Sequence, residues 1–221
     1  MMKLSDNMMN TMKNFSTINQ SLVLRRGKIQ RSMSADKAVL VEAEFDDEIP
    51  VNEFGIYDLN QFLGNITTMN SPDLSFAETN VKMNDGEVEL VYYSCSPNLI
   101  VSPPDKELVM KKIDFEFSLT SKLLEKLLKL AAMNNFPNLS ILGKNGKLNA
   151  NCHDIKNDTS NSLRTSLSLG DYNGSDFIAT FKVENIKVIP DDYNIDVTLA
   201  GFAKFTSKNR KLKYFIALES K

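Results

Sequence analysis

The chain has 221 residues, 42% of them hydrophobic and 24% charged, with a formal net charge of -2. This composition is ordinary for a globular protein of one large or two smaller domains, and no apolar run approaches the roughly 20 residues a membrane-spanning helix needs. Net charge near zero does not announce a nucleic-acid binder, so any such role must rest on local charge. The opening "MMKLSDNMMNTMKNF" lacks the continuous apolar core of a signal peptide. The only cysteines, Cys95 and Cys152, give no disulfide framework. These features lead us to expect a reducing cytoplasm.

In chain order, Ser5–Thr17 predicts a helix, with Ser5 as N-cap and Met8, Met12 and Phe15 on one face. Arg26-Gly27 is a weak hairpin signal. "KAVLVEAEF" (Lys37–Phe45) reads as a strand, with Val39, Val41, Ala43 and Phe45 on one side and Glu42 and Glu44 on the other. Asp58–Thr68 predicts a second helix capped by Asp58. Asp85-Gly86 marks a hairpin. "SCSPNLIVSPPDKE" (Ser94–Glu107) holds Pro97, Pro103 and Pro104 and no amphipathic period, as an extended connector does.

The strongest helix is "TSKLLEKLLKLAAM", Thr120–Met133. Lys122, Lys126 and Lys129 fall within an arc of roughly 60° at 3.6 residues per turn. Leu123, Leu124, Leu127, Leu130 and Ala131 fill the opposite side. Asn145-Gly146 then predicts a hairpin leading into the alternating strand "KLNANCH", and Asn173-Gly174 a further one. "SLRTSLSL", "NIDVTLAGF" and "KLKYFIALE" read as strands, and Lys182–Lys187 as a short turn of helix ended by Pro190. Beta structure therefore dominates an α+β chain. Helix, strands, short helix and strands recur in two halves, 1–93 and 110–221, joined by 94–109. Placing Leu4-Ser5 on Leu119-Thr120 gives a period of about 115 residues.

No catalytic constellation assembles. The one histidine, His153, falls on the polar face of its strand while Cys152 falls on the apolar face, so a Cys–His nucleophile pair would point apart. "LGKNGKL" lacks the phosphate-loop spacing. "GDYNGSD" puts its glycine, and Lys182, where a calcium loop cannot have them. Two cysteines and one histidine are too few for a zinc site. Asp46-Asp47-Glu48 and Asp191-Asp192 lie beside prolines and read as solvated acids in turns. The chain is read as a non-enzyme with no metal and no cofactor.

Binding is the better reading. From Asp36 to Asp58 there are eight acids and one base, whereas from Lys106 to Lys147 there are eight lysines and four acids. A lysine stripe on a leucine-backed helix is commonly just a solvated face. Its functional reading is phosphate contact that ignores sequence, because a flexible point charge meets the backbone and reads no base. The clusters Arg25, Arg26, Lys28, Arg31 and Lys208, Arg210, Lys211, Lys213 read as solvated hairpin tips.

"MKLSDNMMNTMKNFSTIN", "IYDLNQFLGNI", "SPNLIVSP", "SLSLGDYNG" and "YFIALES", in this order along essentially the whole chain, together resemble the sliding clamp of T4-like bacteriophages, a DNA polymerase processivity factor. The resemblance implies the DNA-clamp fold: two similar domains, each with two helices packed on antiparallel sheets, and three subunits closed head to tail into a homotrimeric ring. It implies sequence-independent binding of double-stranded DNA, with Lys122, Lys126, Lys129, Lys13 and Lys3 as contacts. It also implies the DNA polymerase, an ATP-dependent clamp loader and late-transcription factors as partners in the cytoplasm of the infected host, with no membrane role. Partner peptides would dock on Leu99, Ile100, Val101 and Pro103 of the connector and on Tyr214, Phe215 and Ile216. The chain departs from the family by offering only Lys13 on the polar side of its first helix, beside Asn10, Asn14 and Thr17. The competing reading is a non-catalytic structural phage protein without DNA binding.

Overall fold

The computed structural model describes residues 1–104, 106, 108–156 and 167–219. The chain divides into two compact units, residues 1–107 and 108–221.

In the first unit, α1 (Asp6–Ile18) begins where expected. The Ser5 hydroxyl accepts from the Met8 amide, satisfying one of the donors that a helix start leaves open. Met8, Met12 and Phe15 are fully buried. α2 (Leu59–Thr68) starts at Asp58, whose carboxylate accepts from the Gln61 amide at 2.9 Å, and it buries Leu59, Phe62, Leu63 and Ile66. Between the helices lies a long antiparallel hairpin of β1 (Leu22–Met33) and β2 (Val39–Ile56). A three-stranded meander, β3 (Asp73–Phe76), β4 (Asn80–Asn84) and β5 (Glu89–Tyr93), follows α2 in the chain. The connector segment contains one 3-10 turn, Pro97–Leu99.

Two expectations fail in the hairpin. Arg26-Gly27 is not a turn. Gly27, at φ +99°, sits in a register break of β1, and the buried Gln30 holds that break by accepting from the Arg25 amide and donating to the carbonyls of Arg25 and Gly27. Asp46-Asp47-Glu48 are not turn residues either. The pairing jumps from Gly27↔Ile49 to Ile29↔Glu44, so this acidic run bulges out of β2. The bulge carries Asp46 to the start of α1, where it accepts hydrogen bonds from the Ser5 hydroxyl and from Asn7 Nδ2. A carboxylate there also meets the positive end of the helix dipole.

The second unit runs β6 (Phe115–Leu119), α3 (Ser121–Met133), β7 (Asn138–Lys144), β8 (Lys147–His153), β9 (Leu167–Asp171), β10 (Phe177–Lys182), β11 (Tyr193–Thr198), β12 (Phe202–Ser207) and β13 (Leu212–Ala217). Its strands form one sheet in the order β10-β7-β8-β9 and an antiparallel run β6-β11-β12-β13. Asn145 and Gly146, at φ +51° and +73°, make the tight β7–β8 turn.

Asn173-Gly174 joins β9 to β10, which lie at opposite edges of their sheet, so no hairpin forms there. "NIDVTLAGF" is a strand and a turn rather than one strand, because Gly201 at φ +106° reverses the chain between β11 and β12. Lys182–Lys187 contains a single 3-10 turn, Val183–Asn185, so the described residues hold three α-helices where four were expected. The strand expected over "SLRTSLSL" is present from Leu167, and its first five residues lie outside the described ones.

The internal repeat can be followed strand by strand. Met2 exchanges backbone hydrogen bonds with Leu74 of β3, the first meander strand, at 3.0 and 2.7 Å. In the second unit β6 pairs with β11, the first strand of its own meander. Each unit thus ties the segment ahead of its first helix to the start of a three-stranded meander. α1 and α3 begin 121 − 6 = 115 residues apart.

Candidate nucleic-acid interface

α3 is built in layers. Thr120 caps it, and Asp192 accepts from the Ser121 amide at 2.8 Å, placing a carboxylate at the positive end of the helix. Leu124, Leu127 and Ala131 are buried, toward β7 and β8. Burying a leucine side chain contributes roughly 1.5–3 kcal/mol, so the helix is held from beneath. Lys122, Lys126 and Lys129 all lie exposed on its outer side. Lys122 and Lys126 make no ion pair among the described residues, and Lys129 lies 3.4 Å from Glu125.

The turn that presents Asp192 is itself fixed from within. Asp191 is buried and accepts from the Ser207 hydroxyl, Asn209 Nδ2 and the Asp192 amide. Burial pushes its pKa up, but the hydrogen bonds and the nearby Arg210 charge together hold it below the usual carboxylate range. The reading of Asp191-Asp192 as solvated acids is therefore corrected. One member is a buried junction, and the other sits at the start of the lysine helix.

The first unit offers less charge. Lys13 is exposed on α1 with Asn10 and Thr17, and the exposed residues of α2 are the neutral Asn60, Gln61, Thr67 and Thr68. Lys3 and Lys13 are brought together: both line one groove of about 410 Å³ that Asn10, Thr67 and the carboxylate of Asp6 also line.

The residues proposed for partner peptides divide by burial. Leu99 is 72% exposed and Val101 40%, whereas Ile100 and Pro103 are buried. On β13, Tyr214 and Ile216 have no accessible surface and Phe215 keeps 4%. The Tyr214 hydroxyl accepts from the Ile189 amide, and burial pushes its pKa far up. These three belong to the core of the second unit and present no surface to a peptide. The hydrophobic character that marked them is that of a strand buried on both faces.

His153 is half-buried rather than on the open surface. Its Nε2 lies 2.8 Å from the Ser140 hydroxyl, burial lowers its pKa, and Cys152 is buried on the other face. Among the described residues no group of three or more His, Cys, Asp or Glu side chains could hold a metal ion. None of their helices is long and apolar enough to cross a membrane.

Solved structures with this fold exist. Proliferating cellular nuclear antigen from Entamoeba histolytica matches with a TM-score of 0.69 at 14% identity, over 96% of this chain and 94% of that one. That level of likeness defines the DNA-clamp fold class. In sequence, residues 5–96 match the family described as DNA polymerase processivity factor, and residues 116–220 match gp45 sliding clamp, C terminal. The chain is 27% identical to the sliding clamp of Enterobacteria phage T4 and 28% identical to that of Escherichia phage RB69, in both cases over 99% of this chain and 97% of the relative. It belongs to the sliding clamps of T4-like bacteriophages, the processivity factors of their DNA polymerase.

Proposed function

We propose that three copies of this chain close head to tail into a ring around duplex DNA and there tether the replicative polymerase. The observation that carries this reading is the lysine stripe of α3, exposed on an otherwise mildly acidic, leucine-anchored framework. Three copies carry three times -2, or -6, overall, yet a ring with α3 turned inward is positive where the phosphates pass. Lys122, Lys126 and Lys129 meet the backbone without reading bases, and Lys13 and Lys3 add a smaller contribution from the first unit. Weak, sequence-blind contacts permit sliding, while topology prevents release.

Ring closure needs two different surfaces that fit each other. β5 and β9 are sheet edges among the described residues, and β5 exposes Val91 and Tyr93, the latter by 73%. An apolar, unpaired edge is a surface that a second copy covers. A closed ring also requires an ATP-dependent loader to thread onto circular DNA, and the Gly-Lys pairs of "LGKNGKL" lack the spacing of a phosphate loop. The polymerase, the loader and late-transcription factors are assigned to the exposed part of the connector, Leu99 and Val101, rather than to β13.

Sedimentation across a range of concentrations tests the assembly. The chain has a mass of 24.9 kDa, so the expected species is about 75 kDa. A monomer that persists at high concentration in the presence of DNA and loader removes the ring.

A further inference from the structure

We infer that Glu125 tunes the grip of the α3 stripe by competing with phosphate for Lys129, an inference that rests on the DNA-facing role proposed for this helix. Of the three stripe lysines, only Lys129 has an acidic partner among the described residues: its Nζ lies 3.4 Å from Glu125 Oε2. The glutamate precedes the lysine by four residues, the favourable order for a helical ion pair. Its other oxygen, Oε1, accepts from the Ser121 hydroxyl at 3.4 Å, so the carboxylate is held along the helix between the first turn and Lys129. The Lys129 side chain remains 75% exposed and that of Glu125 46%, which leaves the pair solvated and readily broken.

The stripe thus contains two kinds of contact. Lys122 and Lys126 meet a phosphate as free cations. Lys129 must give up a carboxylate to do so, and while Glu125 holds it Lys129 neutralises no phosphate and displaces no counterion from the DNA. A contact that exchanges one anion for another gains little. It suits a surface that must not stall on DNA.

The test is the affinity of the full-length protein for a fluorescent duplex, followed against salt concentration. Glu125→Gln keeps the size and helix propensity of the side chain and removes its charge. It is expected to tighten binding about twofold at low salt, and to steepen the log–log salt dependence by up to about 0.9 for each α3 engaged. In a Lys129→Gln background the same substitution is expected to change nothing.

The inference is overturned if Glu125→Gln binds like the parent. It is equally overturned if its gain persists undiminished without Lys129, because the glutamate then acts as bulk charge. Lys122→Gln and Lys126→Gln separate the two readings. If these weaken binding while Glu125→Gln is silent, only the tuning role falls. If they too are silent, the DNA-facing role of α3 falls with it.

Discussion

Replacing Lys122, Lys126 and Lys129 together with glutamate is expected to abolish processive DNA synthesis at physiological salt while the protein still folds. All three side chains are exposed on one side of α3, and the change turns three positive charges per subunit into three negative ones. Each lost phosphate contact removes about 0.9 from the slope of log affinity against log salt, so Lys122 and Lys126 account for about 1.8 per helix engaged, and Lys129, held by Glu125, for less than a full further contact. Reversal adds repulsion to that loss.

The cost in stability is small. The Glu125–Lys129 pair disappears and like charges four residues apart take its place, each worth a few tenths of a kcal/mol. The expected total is about 1 kcal/mol. Primer extension on a long template, with thermal melting of the same preparation, checks both halves. Unchanged product length at physiological salt would refute the role of this face.

Leu127→Ala, one residue from Lys126, is expected to have the opposite phenotype. Leu127 is 1% exposed beneath α3, and the Cys152 thiol on β8 lies 3.5 Å from its carbonyl. Removing such a side chain deletes its transfer free energy and leaves a cavity, at a cost of roughly 2–5 kcal/mol. That is a large share of a stability of roughly 5–15 kcal/mol, and the melting temperature should fall by on the order of 10 °C. The lysines remain, but the surface that aims them loosens, so DNA binding should fail through unfolding and recover on cooling. A melting curve identical to the parent would show that the leucine back of α3 does not anchor it.

This division of labour within one helix was legible from its residues, because lysine and leucine alternate at the helical period and Thr120 marks the start. The same local signals, Ser5 and Asp58 as caps and Asn145-Gly146 as a turn, located α1, α2 and the β7–β8 hairpin. Features made by distant residues were not legible. The acidic run Asp46-Asp47-Glu48 before Pro50 has the composition of a turn, yet it is a bulge in an 18-residue strand, because the buried Gln30 stabilises a register break on the neighbouring strand.

Asp191 looks solvated until Ser207 and Asn209, from the far end of β12 and just beyond it, are folded against it. Tyr214, Phe215 and Ile216 were assigned to a binding wall because a run of large apolar residues carries no sign of which faces are covered. In the candidate interface, the exposure of the α3 lysines on one helix face was readable from their spacing. The pairing of Lys129 with Glu125 and the shared groove of Lys3 and Lys13 required the three-dimensional arrangement.

The central claim is topological, and retention on DNA tests it most directly. The protein, placed on nicked circular DNA with the proposed ATP-dependent loader, is followed before and after the circle is cut once. A ring that encircles the duplex and slides stays on the circle and leaves through the new ends, so linearisation should strip it while the salt concentration stays constant. Equal retention on circular and linear DNA would mean that local contacts hold the protein, and would contradict encirclement.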